Sequence, residues 1–426
     1  MKKLISSLLA ATLILSSAAG CSNTASSSSS GSAGGSSDKV TLEILSLKNE
    51  QPCQNAFQKM FSEFKAKNPN VSFNLQSMSS DNLKTTLRTR IASGDMPDIV
   101  TWMKEIEPDN LVDLSGESFM KNLDSNSVAG ANAIYKNAEY AMPVDNGYIA
   151  MYYNKTVLSK NGIAVPKTLS ALDAACKKLK ANGISPFATG SKDLSVPYMG
   201  LIALFSETVF GQNSKWSAER DANKTTIAND KNWKLAFDLQ KKYIYGYSDV
   251  NNTFNMSADD AMAKIAQGKA AFYVNGSWAL SGIRTANKDA DIGLEPVPFS
   301  ENEKDAKLLY FPDTSLSICK NSKNISTAKA FLNYVSSKSA GEIWSKTVSV
   351  SSAVKGVNVN YDPIAADINS YVTSNQTNPY GDRVLRTVFT DKLWQDFSKY
   401  MLGTTDWPTL SKELDSYWDK ARDAEK

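Results

Sequence analysis

Histidine is absent from all 426 residues of the chain. Its absence excludes Ser-His-Asp and Cys-His catalysis, histidine general bases and most zinc sites. Cysteine is scarce as well, with four in the chain, of which Cys21 lies near the N-terminus. The other three, Cys53, Cys176 and Cys319, are odd in number and widely spaced, so they indicate no disulfide framework. We interpret them as buried small side chains, although one pair could form a bridge.

The chain also lacks a strong excess of positive or negative charge, and it lacks a long hydrophobic segment after its N-terminal region. Its formal charge is +3, which falls to +1 without residues 1–20, because these carry two lysines and no acid. A nearly neutral chain gives no electrostatic reason to bind nucleic acid. After residue 20 no segment has the roughly eighteen consecutive apolar residues that a membrane-spanning helix needs. We therefore expect the main part of the chain to work in water.

The N-terminal segment is predicted to be a targeting sequence rather than part of the fold. Lys2 and Lys3 precede an apolar stretch at 4–15, and small residues then lead directly into Cys21. This order resembles a bacterial lipoprotein signal over residues 1–20, which implies that Cys21 is lipidated and becomes the mature N-terminus. An ordinary secretory signal cut near the same place is the alternative. Residues 21–38 continue mostly as Ser, Gly and Ala, which predicts a flexible tether.

The remaining chain alternates strand patterns with helix patterns. Apolar and polar residues alternate at 40–47 and 71–78, whereas 52–67 places apolar residues at the i, i+3, i+4, i+7 spacing of a helix. A second helical pattern precedes a third strand at 99–102. Three strands and two helices in about sixty residues predict βαβ units with a parallel sheet. The length after the tether, about 388 residues, suggests two domains or so.

The stretch at 268–280, GKAAFYVNGSWAL, is the most informative in the chain. It predicts a buried strand, a turn at Asn275-Gly276 and a helix capped by the Ser277 hydroxyl. A glycine in that turn permits a positive φ or a close approach of something bound. Trp278 is then expected at the carboxyl end of a strand, the edge at which open α/β sheets bind ligands. Core packing is the alternative role for this indole.

Several short motifs occur in an order that is found in one known family. They are Ser93-Gly94-Asp95-Met96-Pro97-Asp98-Ile99; Pro143 with Tyr153-Asn154-Lys155 and Pro166; Gly268-Lys269-Ala270-Ala271-Phe272 with Gly276-Ser277-Trp278; and Ser322-Lys323-Asn324 before Ala328-Lys329-Ala330-Phe331-Leu332. Over most of its length the chain resembles the extracellular solute-binding proteins of ABC importers, in the sugar-binding class that includes maltose-binding protein.

The resemblance implies a two-lobed, periplasmic-binding-protein-like α/β fold of type II. Each lobe is expected to be a mainly parallel sheet flanked by helices, with the ligand in the cleft between them. The N-terminal lobe is expected to hold 39–145 plus 308–356, and the C-terminal lobe 149–305 plus 360–426. The resemblance further implies a carbohydrate ligand and no cofactor, metal or nucleic acid. The partners are ABC permease subunits, and we expect a monomer, lipid-anchored at the extracytoplasmic face of the bacterial cell membrane.

The resemblance also suggests which residues contact the sugar. Positions similar to the stacking aromatic residues of that class are Trp102, Trp278 and Trp394, and Glu105 is similar to an acid of its cleft. An indole covers the apolar face of a pyranose, while carboxylates and amides bond its hydroxyls. Further candidates, each of which could instead be a solvated loop residue, are Glu50, Asp145, Asn146 and Asp313, and Gly276 completes the set. Gly147 replaces the acid of the hinge-side strand, and this departure counts against maltose itself.

Other functions fit part of the pattern. A secreted glycosidase needs no histidine, because paired carboxylates suffice, but no compact carboxylate motif stands out. A binding protein of the same fold for a polyamine needs several acids around aromatic residues, and one for a phosphorylated polyol needs arginine or a helix N-terminus, for which Ser277 is a candidate. A surface adhesin needs no hinged cleft. The sequence therefore predicts a sugar-binding importer component, not an enzyme.

Replacing the predicted lipid acceptor tests the anchor. We expect Cys21→Ala to abolish lipidation and to release the protein from the membrane fraction, whereas Cys176→Ala, a control outside the signal, stays with the membrane. Fractionation with immunoblotting, and N-terminal sequencing of the mature protein, measure this. If Cys21→Ala fractionates like the wild type while the mature protein still begins at residue 21, the lipoprotein interpretation is wrong.

Overall fold

The computed structural model describes residues 39–101, 103, 106–133, 135, 138–192, 195–248, 250–379 and 385–424. Cys21, Trp102 and Glu105 lie outside these residues, so their predicted roles stay predictions. Within the described ranges no helix is long and apolar enough to cross a membrane.

The strands in chain order are β1 (Val40–Ser46), β2 (Val71–Ser77), β3 (Ile99–Thr101), β4 (Met142–Pro143), β5 (Asp145–Asn154), β6 (Ser185–Phe187), β7 (Ala270–Gly276), β8 (Ile292–Glu295), β9 (Leu308–Pro312), β10 (Ser315–Ile318), β11 (Ser351–Ser352) and β12 (Thr377–Asn378). The helices are α1 (Gln51–Lys67), α2 (Ser80–Ser93), α3 (Ser125–Ala131), α4 (Lys155–Lys160), α5 (Leu169–Ala181), α6 (Ser195–Phe205), α7 (Trp216–Asp221), α8 (Lys231–Leu239), α9 (Val250–Thr253), α10 (Ala258–Ala266), α11 (Ala279–Ala286), α12 (Ile325–Val335), α13 (Lys338–Val348), α14 (Ile364–Thr373), α15 (Thr387–Leu402) and α16 (Trp407–Asp423). Helices α6 and α8 continue into wide π-helical turns at Ser206–Phe210 and Gln240–Tyr245.

Local sequence signals explain many of the helix ends. The Asn154 side chain accepts a hydrogen bond from the Val157 N–H and so caps α4, and Ser257 and Asp260 form a reciprocal capping box at the start of α10. Helix α2 ends at Gly94, whose φ of 69° is a left-handed conformation that glycine adopts without a steric penalty. Helix α2 is the second helical pattern that the sequence predicts before its third strand.

The first sheet has the strand order β2-β1-β3-β10-β4. Strand β1 is parallel to both of its neighbours, which confirms the predicted βαβ units, while β10 is antiparallel to β3 and to β4. Helices α1, α12 and α13 pack on one face, where the rings of Phe57 and Trp344 meet edge to face at 5.0 Å. Helix α2 contributes Leu83 and Leu87 to the core on the other face. We call this sheet, with these helices and α3, the first lobe.

The second sheet is built around the long strand β5. Its order is β12-β9-β5-β7-β6, and β8 and β11 also pair with β5. All ten residues of β5 are buried, and alternate side chains enter the cores on the two faces of the sheet, with Met151 in one core and Tyr152 in the other. Helices α4–α11 and α14–α16 surround this sheet, and together they form the second lobe.

One detail of the predicted fold differs in the second lobe. Strand β5 is antiparallel to β7, β8, β9 and β11, and only the β6–β7 and β9–β12 pairs are parallel. The expectation of a mainly parallel sheet is therefore wrong for this lobe. One physical reason is the direction of the crossings, because β5 leads from the first lobe into the second whereas its neighbour β9 leads back.

Three segments cross between the lobes side by side. Val144 joins β4 to β5, residues 313–314 join β9 to β10, and the chain after α13 passes through β11 toward α14. The Val144 N–H donates to the Thr314 carbonyl at 2.8 Å, and the Ala353 N–H donates to the Val144 carbonyl at 3.0 Å. Because β9 pairs with β5, residues 308–312 belong to the second sheet rather than to the N-terminal lobe in which the sequence placed them.

Candidate functional site

A narrow pocket lies where the two lobes meet at the crossing segments. Its lining residues are Lys48, Glu50, Pro52 and Cys53 of the first lobe; Ser277, Trp278 and Ser281 of the second lobe; and Asp145, Asp313, Thr314, Val348 and Val350 at or beside the crossing segments. The free space is about 20 Å³, room for about one water molecule. Ligand pockets hold several hundred Å³, so a larger ligand requires the lobes to separate.

Trp278 is the aromatic side chain of this pocket. It stands between the end of β7 and the start of α11, as predicted, and 36% of its surface is exposed. Trp278 is the N-cap residue of α11, and no side chain among the described residues caps this helix. The sequence had predicted that Ser277 would cap it. The core-packing alternative predicted a buried ring, so the exposure of Trp278 favours the cleft role.

The residues before Trp278 differ from the prediction. Asn275-Gly276 is not a turn, because both residues belong to β7 and pair with Ala150 and Ile149 of β5. The Ser277 hydroxyl does not cap α11: it is buried, lines the pocket and has no hydrogen-bond partner among the described residues. An unpartnered buried hydroxyl is unfavourable, and a ligand atom that bonded it would remove that cost.

Asp145 forms the floor of the pocket, and its two carboxylate oxygens are already bonded. One oxygen accepts the Thr314 N–H at 2.7 Å, and the other accepts the Thr314 hydroxyl at 3.0 Å and the Trp344 indole N–H at 2.6 Å. The carboxylate is 1% exposed. Burial, followed by repulsion from Asp313, raises the pKa of Asp145 to about 6, although Lys48 opposes the shift. Asp145 therefore joins the crossing segments in this conformation instead of presenting a free oxygen to the pocket.

Lys48 supplies the positive charge of the site. It follows β1, and its Nζ lies 2.6 Å from a carboxylate oxygen of Asp313 on the crossing segment between β9 and β10. Burial lowers the pKa of Lys48, but the attraction of Asp313 and Asp145 outweighs burial and raises the pKa overall, so the ammonium stays charged. The pair connects the first lobe to the crossing segment and leaves ammonium and carboxylate groups along one pocket wall.

The other predicted site residues lie in different surroundings. Glu50 is exposed at the rim, at the start of α1. Asn146 is buried behind the pocket, where its side-chain oxygen accepts the Ser127 hydroxyl at 2.9 Å. Trp394 lies on α15 and packs against Tyr198 of α6 at 4.9 Å, away from the lining residues of the pocket. The ligand contacts predicted for these residues stay predictions.

Sequence reasoning missed Lys48 and Thr314 as members of the site. Lys48 belongs to the polar segment that follows β1, but nothing local distinguishes a buried lysine from a solvated one. Its pairing with Asp313 spans 265 positions in the sequence. The one available signal was the position of Lys48 in the sequence, directly after the predicted strand at 40–47.

A second, larger hollow of about 300 Å³ lies at the far end of β5. Its lining includes Asn154, Asn287 and Asp291, with no aromatic side chain among the described lining residues. The Asn154 amide donates to the Ile265 carbonyl, and the Asn287 amide donates to the Ala266 carbonyl. These amides are used in holding the fold, so the pocket at Trp278 is the better candidate for a binding site.

The described part of the chain contains neither a group of side chains that could hold a metal ion nor an exposed cysteine. There, no group of three or more histidine, cysteine or acidic side chains is placed to hold a metal ion. Cys53, Cys176 and Cys319 are buried and free, in agreement with their interpretation as small core residues. Burial raises the pKa of the Cys176 thiol to about 12 and that of the Cys319 thiol also to about 12, which makes both poor nucleophiles at neutral pH.

The fold and the interlobe pocket define a two-lobed binding protein. Residues 48–342 match the family model of the bacterial extracellular solute-binding proteins, and the chain belongs to that family. The multiple sugar-binding protein of Streptococcus mutans is 25% identical over 333 residues, which are 75% of this chain and 76% of that protein. The melibiose/raffinose/stachyose-binding protein of Bacillus subtilis is 24% identical over 364 residues, 81% of each chain.

Solved structures agree on the fold. A sugar transporter protein of Bacillus licheniformis in complex with stachyose has a TM-score of 0.73 at 19% identity, over 89% of this chain and all (100%) of that one. At that identity the likeness concerns the fold alone. It confirms the predicted type II, periplasmic-binding-protein-like architecture.

Removing the Lys48 charge tests the electrostatics of the site. Lys48→Met leaves Asp145 and Asp313 facing each other without a cation, and we expect it to reduce the free energy of unfolding by about 3–5 kcal/mol at pH 8. Because the variant raises the pKa of Asp145 further above the unfolded value, its folded state takes up a proton at higher pH. The loss at pH 5 should therefore be smaller than at pH 8 by at least about 1 kcal/mol.

Urea unfolding at both pH values measures these losses. Lys59→Met is the matched control, because Lys59 is exposed on α1 of the same lobe and should change stability by less than about 0.5 kcal/mol. Equal losses for Lys48→Met at pH 5 and pH 8 would contradict the proposed charge balance around Asp145.

Proposed function

We propose that this protein captures an oligosaccharide between its lobes and delivers it to the permease subunits of an ABC importer. We further infer that it acts as a monomer, anchored through lipid on Cys21 at the extracytoplasmic face of the cell membrane. The observation that carries the proposal is the partly exposed indole of Trp278, which lines one pocket together with the polar groups of Lys48, Asp313 and Ser277.

The two kinds of surface match the two surfaces of a sugar ring. A pyranose has an apolar C–H face, which an indole covers, and a girdle of hydroxyl groups, each of which can donate and accept a hydrogen bond. Lys48 offers donors, Asp313 offers acceptors, and the Ser277 hydroxyl can do both. Both relatives are named as sugar-binding proteins, which supports a carbohydrate ligand, and the three sugars in the name of the Bacillus subtilis protein guide the choice of test compounds.

The carboxylates of the pocket support a glycosidase less well than they support a binding protein. A raised pKa like that of Asp145 is what a general acid needs. Asp145, however, is buried, and both of its oxygens bond Thr314 or Trp344, so it cannot reach a glycosidic oxygen in this conformation. Asp313 is paired with Lys48. We therefore infer binding without hydrolysis.

The charge of the pocket also argues against the other two ligand classes. A polyamine site needs unpaired acids, whereas in this pocket the buried ammonium of Lys48 is already paired with Asp313. A phosphate site needs arginine or a helix N-terminus with free N–H groups. No arginine is among the described lining residues, and the carboxylates of Asp145 and Asp313 at the pocket repel a phosphate group.

A binding assay tests the function directly. We expect one or more of melibiose, raffinose, stachyose, maltotriose and glucose to bind, with about 2.7 kcal/mol of added stability at a concentration of 100 Kd. Trp278→Ala should weaken that binding about 30- to 150-fold, a loss of about 2–3 kcal/mol that is typical of a truncated aromatic anchor. Folding should survive, because the indole is already partly exposed. Titration calorimetry and thermal unfolding measure the two effects.

Leu235→Ala is the matched control, since Leu235 is 38% exposed but lies on α8, outside the pocket. It should leave sugar affinity unchanged. A folded Trp278→Ala variant that binds with normal affinity would remove Trp278 from the site. Release of sugar products on long incubation, abolished by a single carboxylate substitution, would instead favour the glycosidase.

Lobe closure should accompany binding. The pocket is too small for a sugar in the conformation described, and the crossing segments give the lobes a hinge, so the free protein in solution should open to admit the ligand. We expect the radius of gyration from X-ray scattering to fall when the tightest-binding of the five sugars is saturating. An unchanged radius for a sugar that demonstrably binds would indicate a preformed site.

A further inference from the structure

The chain directly behind Trp278 is held firmly. The Gly276 N–H donates to the Asn275 side-chain oxygen at 2.7 Å, and the Gly276 carbonyl accepts the Tyr152 hydroxyl at 2.9 Å. The next N–H, that of Ser277, donates to the Tyr148 carbonyl of β5 at 2.9 Å. Gly276 is therefore fixed by strand pairing and by a buried tyrosine at once.

The indole of Trp278 lies on this fixed segment. A Cβ atom added to Gly276 would stand 2.2, 2.3 and 2.4 Å from the ring carbons Cη2, Cζ2 and Cζ3 of Trp278. Because these three distances to neighbouring ring carbons are nearly equal, the added Cβ atom would lie over the face of the six-membered ring rather than beyond its edge. No other residue contributes to the three nearest atoms. The contact at Gly276 is thus between one face of the indole and the main chain.

Backbone conformation does not require the glycine. Gly276 belongs to β7, and it is not among the described glycines with positive φ. An alanine could adopt the same backbone without strain. What position 276 cannot accept is the volume of a methyl group, because the ring of Trp278 already fills that place.

We propose that Gly276 is a positioning residue for ligand binding, which sets the plane and depth of the Trp278 indole by having no side chain. The inference rests on the proposed function of Trp278 as the sugar platform. The main chain covers one face of the ring and leaves the other face open to the pocket. A methyl group at position 276 forces the ring to move by more than about 1 Å to reach ordinary van der Waals separation, which displaces the stacking face into the cleft.

Fluorine NMR on protein labelled with 5-fluorotryptophan reads the ring position without any ligand. The resonance of Trp278 is the one that disappears in Trp278→Ala. We expect Gly276→Ala to shift this resonance more than those of the other seven tryptophans. Gly116→Ala is the control, because an added Cβ there meets nothing within 4 Å, and it should leave the Trp278 resonance in place.

Sugar affinity is the second measurement, made with whichever of the five sugars named above binds most tightly. Gly276→Ala should weaken binding at least about tenfold. In a Trp278→Ala background the same substitution should have no further effect on affinity or melting temperature, because the ring it displaces is gone. This double variant also relieves the clash, so it should fold even if Gly276→Ala alone is unstable.

Three results would overturn the proposal: an unmoved Trp278 resonance in Gly276→Ala, a moved resonance with unchanged affinity, or an equal loss of stability in the presence and absence of Trp278. If none of the five sugars binds the wild-type protein, the proposed function fails. The fluorine measurement and the melting temperatures of the single and double variants still decide whether Gly276 positions the ring.

Discussion

The structure depends on one buried carboxylate, that of Asp145. Burying a charge is unfavourable unless hydrogen-bond donors and a counter-charge surround it. Thr314 and Trp344 supply the donors, and Lys48 supplies the positive charge beside Asp313. These partners come from the end of β1, from α13 and from a crossing segment. Satisfying a single carboxylate therefore fixes the point at which both lobes and two of the three crossing segments meet.

The contact between the first lobe and a crossing segment shares its two charged groups with the wall of the pocket. Lys48 and Asp313 line the pocket, and their ion pair also links the first lobe to a crossing segment. A ligand can shift an equilibrium between open and closed lobes only if it interacts differently with the two states. In the proposed function, sugar hydroxyls that bond Lys48 or Asp313 would act on an ion pair that joins the first lobe to a crossing segment. One contact would then couple recognition to closure of the lobes.

Sequence reasoning succeeded where structure depends on local spacing. The periodicity that predicted α1 and β1 needs only a few neighbouring residues to be visible. Asn275-Gly276 misled because its turn propensity is local, whereas pairing with β5 extends β7 through both residues. Asp145 was predicted as a candidate ligand contact, and its partners Thr314 and Trp344 are 169 and 199 positions away. A single sequence carries no signal for such contacts, so it could not show that both oxygens of this carboxylate are bonded within the protein.

The same limit explains why the sequence did not identify the side chain that lies against Gly276. A glycine in a binding motif suggests a backbone that something approaches closely, and the sequence left open what that is. In the structure it is the ring of Trp278, two residues further along the chain. In the proposed arrangement the two faces of the indole have different roles. The face against the main chain sets the position of the ring, and the other face remains open for the ligand. A ring positioned in this way loses little conformational freedom on binding, so more of the stacking energy contributes to affinity.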